Sequence, residues 1–456
     1  MLRRASLTAG LAALAAALVP AAAGAANYPP PGNPGTVKGH PKGRVTIRVC
    51  KHGKANFRTI QKAVNYAKRG DTIRVCDGTY REQVTITGGG KSYIKLVGNV
   101  KNPRRVVLEE QRKRQMGVYI FRANGVSVRG FYARHYNANG FFALQVRGYD
   151  FSHLVAGHGG VYGLYAFHSY GGTMTYDEAF YNNDSGFYIG ETPPQSKPTR
   201  SFVRHVVAWG NVIGWSGTNM RYVTITKSAW FNNGLGIVPN ALKSEKFPPP
   251  TDNVIQDNDI FWNNYDYFRG APFKLRKGAT GDIPYPVGTG VLLFGGQRNH
   301  VVGNRIFGNW LMGAGAIEQI LLAGDKNPAY RAAAVLVGNE IRGNRYGAGG
   351  ADTNGRDVFY DGSGRDNCVQ ETGTQNDMPA DHSTWAPCPF SGTNAFDSAA
   401  QNEAVLWTAG DATHEAHWIR HAHPAAPIKL DGKAIKPLEH CTVVRHGEGC
   451  AGQPSY

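Results

Sequence analysis

Short apolar runs separated by Gly, Asn and Asp occupy most of the chain from residue 84 to about residue 350. Four stretches repeat one pattern, in which polar residues lead to a Gly and then to alternating aromatic or aliphatic residues: YNANGFFAL (136–144), YNNDSGFYIGET (181–192), AWGNVIGWSGT (208–218) and AWFNNGLGIVPN (229–240). The corresponding glycines are spaced by 23, 23, 28 and 22 residues: Gly140, Gly163, Gly186, Gly214 and Gly236. This period predicts a solenoid, and the lack of a leucine-rich motif favours a parallel β-helix.

The alternation after each glycine predicts which side chains fill the solenoid. The first and third residues after Gly are expected to point inward, where the next turn covers them. These residues are Phe141 and Ala143, Leu164 and Ala166, Phe187 and Ile189, and Ile237 and Pro239. The pairs Asn182–Asn183 and Asn232–Asn233 precede strands, so we expect their amides to bond the backbone at corners and to stack into ladders.

The β-rich region starts with a different unit. The sequence TIRVC occurs at 46–50 and again at 72–76. Four residues between the copies recur at helical spacing: Ile60, Ala63, Val64 and Ala67. Thr59 suits the N-cap of this helix and Gly70 its end. A strand, a helix and an identical strand predict a βαβ unit with parallel strands.

The six cysteines fall into three neighbourhoods: Cys50 with Cys76, Cys368 with Cys388, and Cys441 with Cys450. Six cysteines allow 15 pairings. In-register strands would bring Cys50 and Cys76 to about 4.8 Å, which suits a disulfide. Because there is no C-x-x-C spacing, disulfides are favoured over a metal or redox site at all three places.

The first 26 residues have the pattern of a signal peptide, with an early Arg pair, an apolar run and a small-residue cleavage sequence. We therefore expect a secreted or periplasmic protein without a membrane span after cleavage. Residues 27–43 are rich in Pro and Gly and are interpreted as a linker.

The formal net charge is +17, and residues 38–114 carry 20 Lys/Arg against 5 Asp/Glu. Such a surplus is typical of proteins that bind polyanions. For an exported chain, an acidic polysaccharide or an anionic cell surface is favoured over nucleic acid. A basic surface that serves solubility alone is the alternative.

The stretch FRTIQKAVNYAKRGDTIRVCDGTYREQVTI (57–86) resembles the opening of secreted parallel β-helix proteins of the pectin-lyase-like superfamily. The later turns, with their N-x-I-x-x-N pattern, are similar to the Asn-rich repeats of that superfamily. The resemblance implies an all-β, right-handed parallel β-helix over 44–350, with a short N-terminal capping helix. Residues 351–456 would form an irregular, disulfide-bearing C-terminal cap. Members include lyases, hydrolases, esterases, epimerases and noncatalytic proteins, so the resemblance implies no single chemistry.

Outward positions of the repeats carry the candidate chemistry. The second residue after Gly places Phe142, Tyr165 and Tyr188 in one exterior row, where exposed rings could hold sugars. The fifth residue gives Gln145, His168 and Glu191 beside that row. We interpret Gln145 and the three rings as substrate-binding residues, and His168 with Glu191 as a base/acid pair. The alternative is an ordinary stacking ladder, or one that lies under the neighbouring loops.

Three functions remain open from the sequence. The leading hypothesis is a monomer that engages an acidic polysaccharide, as a uronate lyase or epimerase, with Ca²⁺ as a cofactor only if it is a lyase. The second is a noncatalytic carbohydrate-binding or surface protein. The third is metal handling by a cluster in the tail, although a metal-free surface cluster is favoured: His414, His417, His421 and His423.

Overall fold

The computed structural model describes residues 43–275, 286–319, 327–348, 352–409, 428–430 and 432–453. The proposed signal peptide and nearly all of the linker lie outside these residues. The described α-helices are Ile60–Tyr66, Pro328–Ala334 and Ser398–Ala409. None of the described helices combines the length and apolar character needed to cross a bilayer.

Parallel strands stack into about 12 turns and form three faces. The first face contains Thr46–Val49, Thr72–Val75, Lys95–Val97, Thr173–Thr175, Ser201–Arg204, Val223–Thr226, Val254–Gln256, His300–Val302, Glu340–Arg342 and Cys368–Gln370. The second contains Gly78–Tyr80, Val106–Glu109, Glu178–Phe180, Val207–Trp209, Ala229–Phe231, Asp259–Phe261, Arg305–Phe307 and Arg345–Tyr346. Two long strands belong to both faces: Ser127–Arg134 and Asp150–Gly157.

The third face contains Val84–Thr87, Met116–Phe121, Asn139–Leu144, Leu164–Phe167, Ser185–Gly190, Ile213–Thr218, Leu235–Asn240, Thr289–Phe294, Met312–Ile317 and Val358–Tyr360. A further short parallel pair joins Gly296–Gln297 to Leu336–Val337. Two antiparallel pairs lie near the C-terminus: Lys429–Leu430 with Lys433–Ala434, and Val443–Val444 with Gly449–Cys450.

The predicted interior of the coil is confirmed. Phe141, Leu164 and Phe187 are direct partners on successive strands of the third face. The row continues through Trp215 and Ile237. All five side chains are fully buried, because each turn covers the apolar residues of the turn before it.

Asparagine ladders hold the corners, also as predicted. In one ladder, Oδ1 of Asn233 accepts the backbone N–H and the Nδ2 of Asn211, at 3.1 and 3.0 Å. The same arrangement repeats along Asn182, Asn211, Asn233, Asn263, Asn309 and Asn354. The other member of each predicted pair bonds elsewhere, since Asn183 donates to the carbonyl of Lys274 and Asn232 to that of Lys436. Such bonds satisfy backbone groups that the corners would leave unpaired.

The predicted opening unit forms with its strands in register, Thr46 opposite Thr72 and Val49 opposite Val75. The Cys50–Cys76 disulfide joins them with a Cα–Cα distance of 5.0 Å. The helix begins at Ile60, but the side chain of Thr59 makes no capping bond. The carboxylate of Glu82 instead accepts the N–H groups of Ile60 and Gln61, at 2.9 and 2.8 Å. A negative charge at this end also favours the helix dipole.

The C-terminal part both continues the coil and covers it. Stacked strands continue beyond residue 350, through Val358–Tyr360 and Cys368–Gln370. The other two predicted disulfides, Cys368–Cys388 and Cys441–Cys450, are both formed. Residues 432–453 bond to Asn232 and Tyr181 beside the second face. Their buried side chains belong to the same apolar cluster as an exterior stack of rings on that face: Phe180, Trp209, Phe231, Phe261 and Phe307.

Candidate functional site

The coil brings the predicted base/acid pair together. Phe167 and Gly190 are partners on adjacent strands of the third face, so the residues that follow them occupy the same corner one turn apart. Nδ1 of His168 lies 3.1 Å from Oε2 of Glu191. Both residues have left-handed backbone, with φ of 52° and 46°. In-register stacking therefore converts a spacing of 23 residues into a direct contact.

An insertion after the third-face strand Leu235–Asn240 folds over this pair. We call residues 241–250 the roof loop. The backbone N–H of Lys246 donates to the free oxygen of Glu191 at 2.8 Å, and the ring of Phe247 meets that of His168 edge-on at 5.3 Å. Asn219, at the next turn of the same corner, exchanges hydrogen bonds with Leu242 at 3.1 and 2.7 Å. The roof loop is thus held by the same corner residues that form the site.

The predicted exterior aromatic row exists, but its predicted exposure is wrong. Phe142, Tyr165 and Tyr188 are partners on successive strands, and the first two rings stack at 4.3 Å and 6°. All three rings are buried. Tyr162 packs against Tyr165 and Tyr188, and the roof loop contacts Tyr188, so these rings form a covered cluster instead of an open platform.

Gln145 occupies the predicted corner position, yet it turns away from the pair. Its Oε1 accepts the Nε of Arg122 at 2.6 Å, one turn towards the N-terminus. The corner therefore contains two separate polar pairs, Arg122 with Gln145 and His168 with Glu191. Both have part of their side chains in solvent, and about a quarter of His168 is exposed.

Sequence reasoning missed the carboxyl group at the centre of the site. Glu245 of the roof loop receives the hydroxyl of Tyr188, which lies 2.6 and 2.7 Å from its two oxygens. Glu245 is only 3% exposed and Tyr188 only 1%. The only signal was the insertion ALKSEKFPPP itself, in which Glu245 is the single acidic residue and stands between Ser244 and Lys246.

Burial determines the protonation of this buried pair. Burial raises the pKa of Glu245 well above its usual value, and the nearby carboxylates of Glu191 and Asp184 act in the same direction. Burial likewise raises the pKa of the Tyr188 phenol, with Glu245 adding to the effect. A protonated Glu245 and a neutral Tyr188 are therefore the favoured state.

The candidate site combines a basic group, the imidazole of His168, with an acidic group, the carboxyl of Glu245, and the two have different environments. Nδ1–H of His168 is oriented by Glu191, which leaves Nε2 as the position that can accept a proton. Glu245 can donate the proton that burial keeps on it. Since an oriented imidazole can accept a proton and a buried, protonated carboxyl group can donate one, the arrangement can transfer protons to and from a bound molecule.

The donor set does not fit a calcium ion. Ca²⁺ needs six to eight oxygen ligands, of which carboxylates are the strongest. Both oxygens of Glu191 are already bonded, to His168 and to the N–H of Lys246, and Glu245 is bonded to Tyr188. No chemical step at this site is therefore assigned to calcium.

The proposed transition-metal site lies outside the described residues, because His414, His417, His421 and His423 fall within 410–427. Among the described residues, Glu340, Cys368 and Cys388 have ligand atoms close together. Both sulfurs belong to the Cys368–Cys388 disulfide, so neither is a thiolate ligand. Metal handling stays a prediction for the tail alone.

No protein-family model matches this chain, and no match is found among curated proteins. Solved structures are similar to it in fold. The A-module of the mannuronan C-5 epimerase AlgE4 from Azotobacter vinelandii is 15% identical, covers 68% of this chain and 86% of its own, and has a TM-score of 0.42. An alginate lyase from Paenibacillus sp. is 13% identical, covers 73% and 99%, and has a TM-score of 0.43.

A DFA-IIIase from Arthrobacter chlorophenolicus A6, solved without its lid, is 11% identical, covers 71% of this chain and 94% of its own, and has a TM-score of 0.40. The epimerase and the lyase are right-handed parallel β-helix proteins of the pectin-lyase-like type. This chain is a right-handed parallel β-helix. The likeness extends to the fold alone, and the chemistry of the β-helix has to be argued from its own residues.

Proposed function

We propose that this protein binds an acidic polysaccharide outside the cytoplasm and transfers protons at a uronate unit, as a lyase or an epimerase. The observation that supports the proposal is the joint position of two proton-transfer groups, His168 oriented by Glu191 and the buried Glu245 bonded to Tyr188. Sharing one cluster on the outside of the coil, they can act on the same bound sugar unit.

The proposed reaction begins at the carbon beside the uronate carboxylate. His168 Nε2 removes the proton from that carbon, and Glu191 stabilises the imidazolium that forms. In elimination, the electron pair forms a carbon–carbon double bond and the glycosidic oxygen leaves with a proton from Glu245. In epimerisation, the same carbon regains a proton from Glu245 on the opposite face. Both reactions balance without an oxidant or reductant.

Substrate access requires the roof loop to move. Tyr188 and Glu245 are buried, whereas His168 is partly exposed. The loop is fastened to the coil by hydrogen bonds of several side chains, among them those of Tyr188, Glu191, Asn219 and Arg221. We infer that a polysaccharide chain first contacts the His168 side, and that a shift of the roof loop then lets the chain replace Tyr188 as the partner of Glu245 while the carboxyl stays shielded from water.

The burial of Tyr188 and Glu245 also favours a second candidate, a noncatalytic carbohydrate-binding protein. In that case the Tyr188–Glu245 pair would anchor the roof loop and have no chemical role. Both candidate functions place the protein in the same kind of cellular compartment, because three disulfides are typical of an oxidising environment. The monomeric state and the exclusion of nucleic acid stay predictions.

The test uses alginate, polygalacturonate and hyaluronan as substrates. Elimination is followed by the ultraviolet absorbance of the unsaturated product, and epimerisation by deuterium incorporation from heavy water in the NMR spectrum. The wild type is compared with His168→Ala and Glu245→Gln, and with His52→Ala as an exposed histidine away from the site. Loss of product in His168→Ala and Glu245→Gln, with product retained in His52→Ala, supports the proposed lyase or epimerase function. Binding without product from any polymer supports the noncatalytic candidate, and neither binding nor product rejects both.

A further inference from the structure

A second aromatic stack lies on the outside of the coil, at the corner between the first and second faces. His153, Tyr176 and His205 occupy this corner in three successive turns, with left-handed φ of 52°, 58° and 54°. The rings of His153 and Tyr176 are 5.0 Å apart, and those of Tyr176 and His205 are 5.0 Å apart and nearly parallel, at 7°. We call these three residues the outer ridge.

The outer ridge differs from the other exterior stacks because it is open to solvent. The rings of the third face lie in a covered cluster, and those of the second face are buried in a cluster that includes side chains of residues 432–453. Tyr176, in contrast, is 56% exposed, and His205 is also exposed. In other turns the same corner is formed by Gly130, Gly303 and Gly343. The corner therefore does not require a ring, and the exposed stack has no evident packing role.

Cationic side chains flank the outer ridge. Arg204 ends the first-face strand beside His205, and Lys227 occupies the corner one turn further on. Both are exposed, and within the described part of the chain no carboxylate lies within ion-pair distance of either. Asp257 follows Lys227 at the next turn and marks the end of the cationic stretch. Towards the N-terminal end of the ridge, Arg129 is already paired with Asp150 at 2.5 Å.

A further exposed ring stands on the same strand as Arg204. Phe202 is 41% exposed, and it points outward because it alternates with the buried Val203. Adjacent turns are about 4.8 Å apart, so Arg204 and Lys227 present two cations in neighbouring layers beside the rings. Aromatic faces favour the apolar faces of sugar rings, and Arg and Lys favour carboxylates.

We propose that the outer ridge, with Phe202, Arg204 and Lys227, is a separate binding site for a uronate-bearing polysaccharide. The first face separates it from the His168–Glu191 site, so it holds the polymer at a distance from the chemistry. The inference rests on the proposed function only for the class of polymer. Single-stranded nucleic acid offers similar stacking and charge, but the disulfides indicate an oxidising compartment, where acidic polysaccharides are the abundant polyanions.

The test is affinity electrophoresis in native gels that contain alginate or polygalacturonate. The wild type is compared with Tyr176→Ala and with the double variant Arg204→Ala/Lys227→Ala. Phe396→Ala is the matched control, because Phe396 is also 56% exposed and lies near the C-terminal helix. We expect retention to be at least about five-fold weaker for Tyr176→Ala and for the double variant than for wild type. The control should be retained as strongly as wild type. Far-ultraviolet circular dichroism confirms that each variant is folded.

Other outcomes separate this site from the proposed activity. Unchanged retention in both folded variants would overturn the outer ridge, whatever the product assay shows. Weaker retention with unchanged product from short oligouronates supports a separate site. Retention by single-stranded DNA in the gel, together with none by the uronate polymers, would overturn the proposal in favour of nucleic acid. An absence of product in every variant contradicts the proposed function and leaves the retention result valid.

Discussion

The hydroxyl of Tyr188 lies 2.6 Å from one carboxyl oxygen of Glu245 and 2.7 Å from the other, across 57 residues of sequence. Burial raises the pKa of Glu245, so the folded protein keeps a proton that the unfolded chain releases at lower pH. The stability that this proton contributes is fully present below the unfolded pKa. It is lost as the pH rises through the folded pKa.

We therefore expect Glu245→Gln to change the pH dependence of stability. Glutamine keeps an acceptor for Tyr188 and cannot ionise. The melting temperature of the variant, relative to wild type, should rise as the pH increases above the usual pKa of a glutamate. Tyr188→Phe is the companion variant, and it should lower stability by about 1 to 3 kcal/mol because the carboxyl loses its partner. If the melting temperatures of wild type and Glu245→Gln change equally with pH across this range, the raised pKa of Glu245 is contradicted.

The contact between His168 and Glu191 could be predicted from the sequence, whereas the contact between Tyr188 and Glu245 could not. Strand stacking in register maps equal repeat positions onto neighbouring sites, so repeat spacing alone located the first pair. Glu245 lies in an insertion that breaks the repeat, and only its tertiary fold places it. The same insertion explains why the position of Tyr188 could be predicted but its burial could not.

Replacement of a ladder asparagine should cost more than replacement of an exposed one. Asn233 is fully buried, accepts two hydrogen bonds from Asn211 and donates to the carbonyls of Ala208 and Phe231. Asn233→Ala leaves several buried groups unpaired, and we expect a loss of about 2 to 4 kcal/mol. Chemical denaturation measures the loss, with the exposed Asn137→Ala as the control. Equal midpoints for the two variants would show that the ladder contributes little.

The Cys50–Cys76 disulfide should stabilise the start of the coil. It closes a separation of 26 residues, against 9 for Cys441–Cys450. Loop closure predicts about 3 kcal/mol for the longer loop and somewhat less for the shorter one. We expect Cys50→Ala/Cys76→Ala to lower the denaturation midpoint more than Cys441→Ala/Cys450→Ala does. If removal of Cys441–Cys450 lowers the midpoint more, the attachment of residues 432–453 to the coil contributes more to stability than the first disulfide does.

Glu371 ends a second asparagine ladder, formed by Asn258, Asn304 and Asn344. It should make stability depend on pH near neutrality. Its carboxylate accepts the backbone N–H of Asn344 at 2.9 Å, and burial raises the pKa of Glu371 to about 7. A raised folded pKa gives stability that is complete below about pH 4.5 and lost as the pH rises to about 7. Relative to Glu371→Gln, wild type should therefore lose on the order of 2 kcal/mol across this range. Thermal melts at a series of pH values provide the measurement, and a constant difference between the two proteins would refute the prediction.

A single charged substitution at a buried position should detach residues 432–453 from the coil. Leu438 is buried in the same apolar cluster as Phe231 and Phe261, and its N–H donates to Asn232 at 3.0 Å. Leu438→Asp places an unpaired carboxylate in this apolar contact, at a cost of several kcal/mol. We expect faster proteolytic cleavage of the segment and stronger binding of a hydrophobic dye to the uncovered rings. Val443→Asp, at a 44% exposed position of the same segment, is the control and should behave as wild type. Equal cleavage rates for the two variants would show that Leu438 does not fasten the segment to the coil.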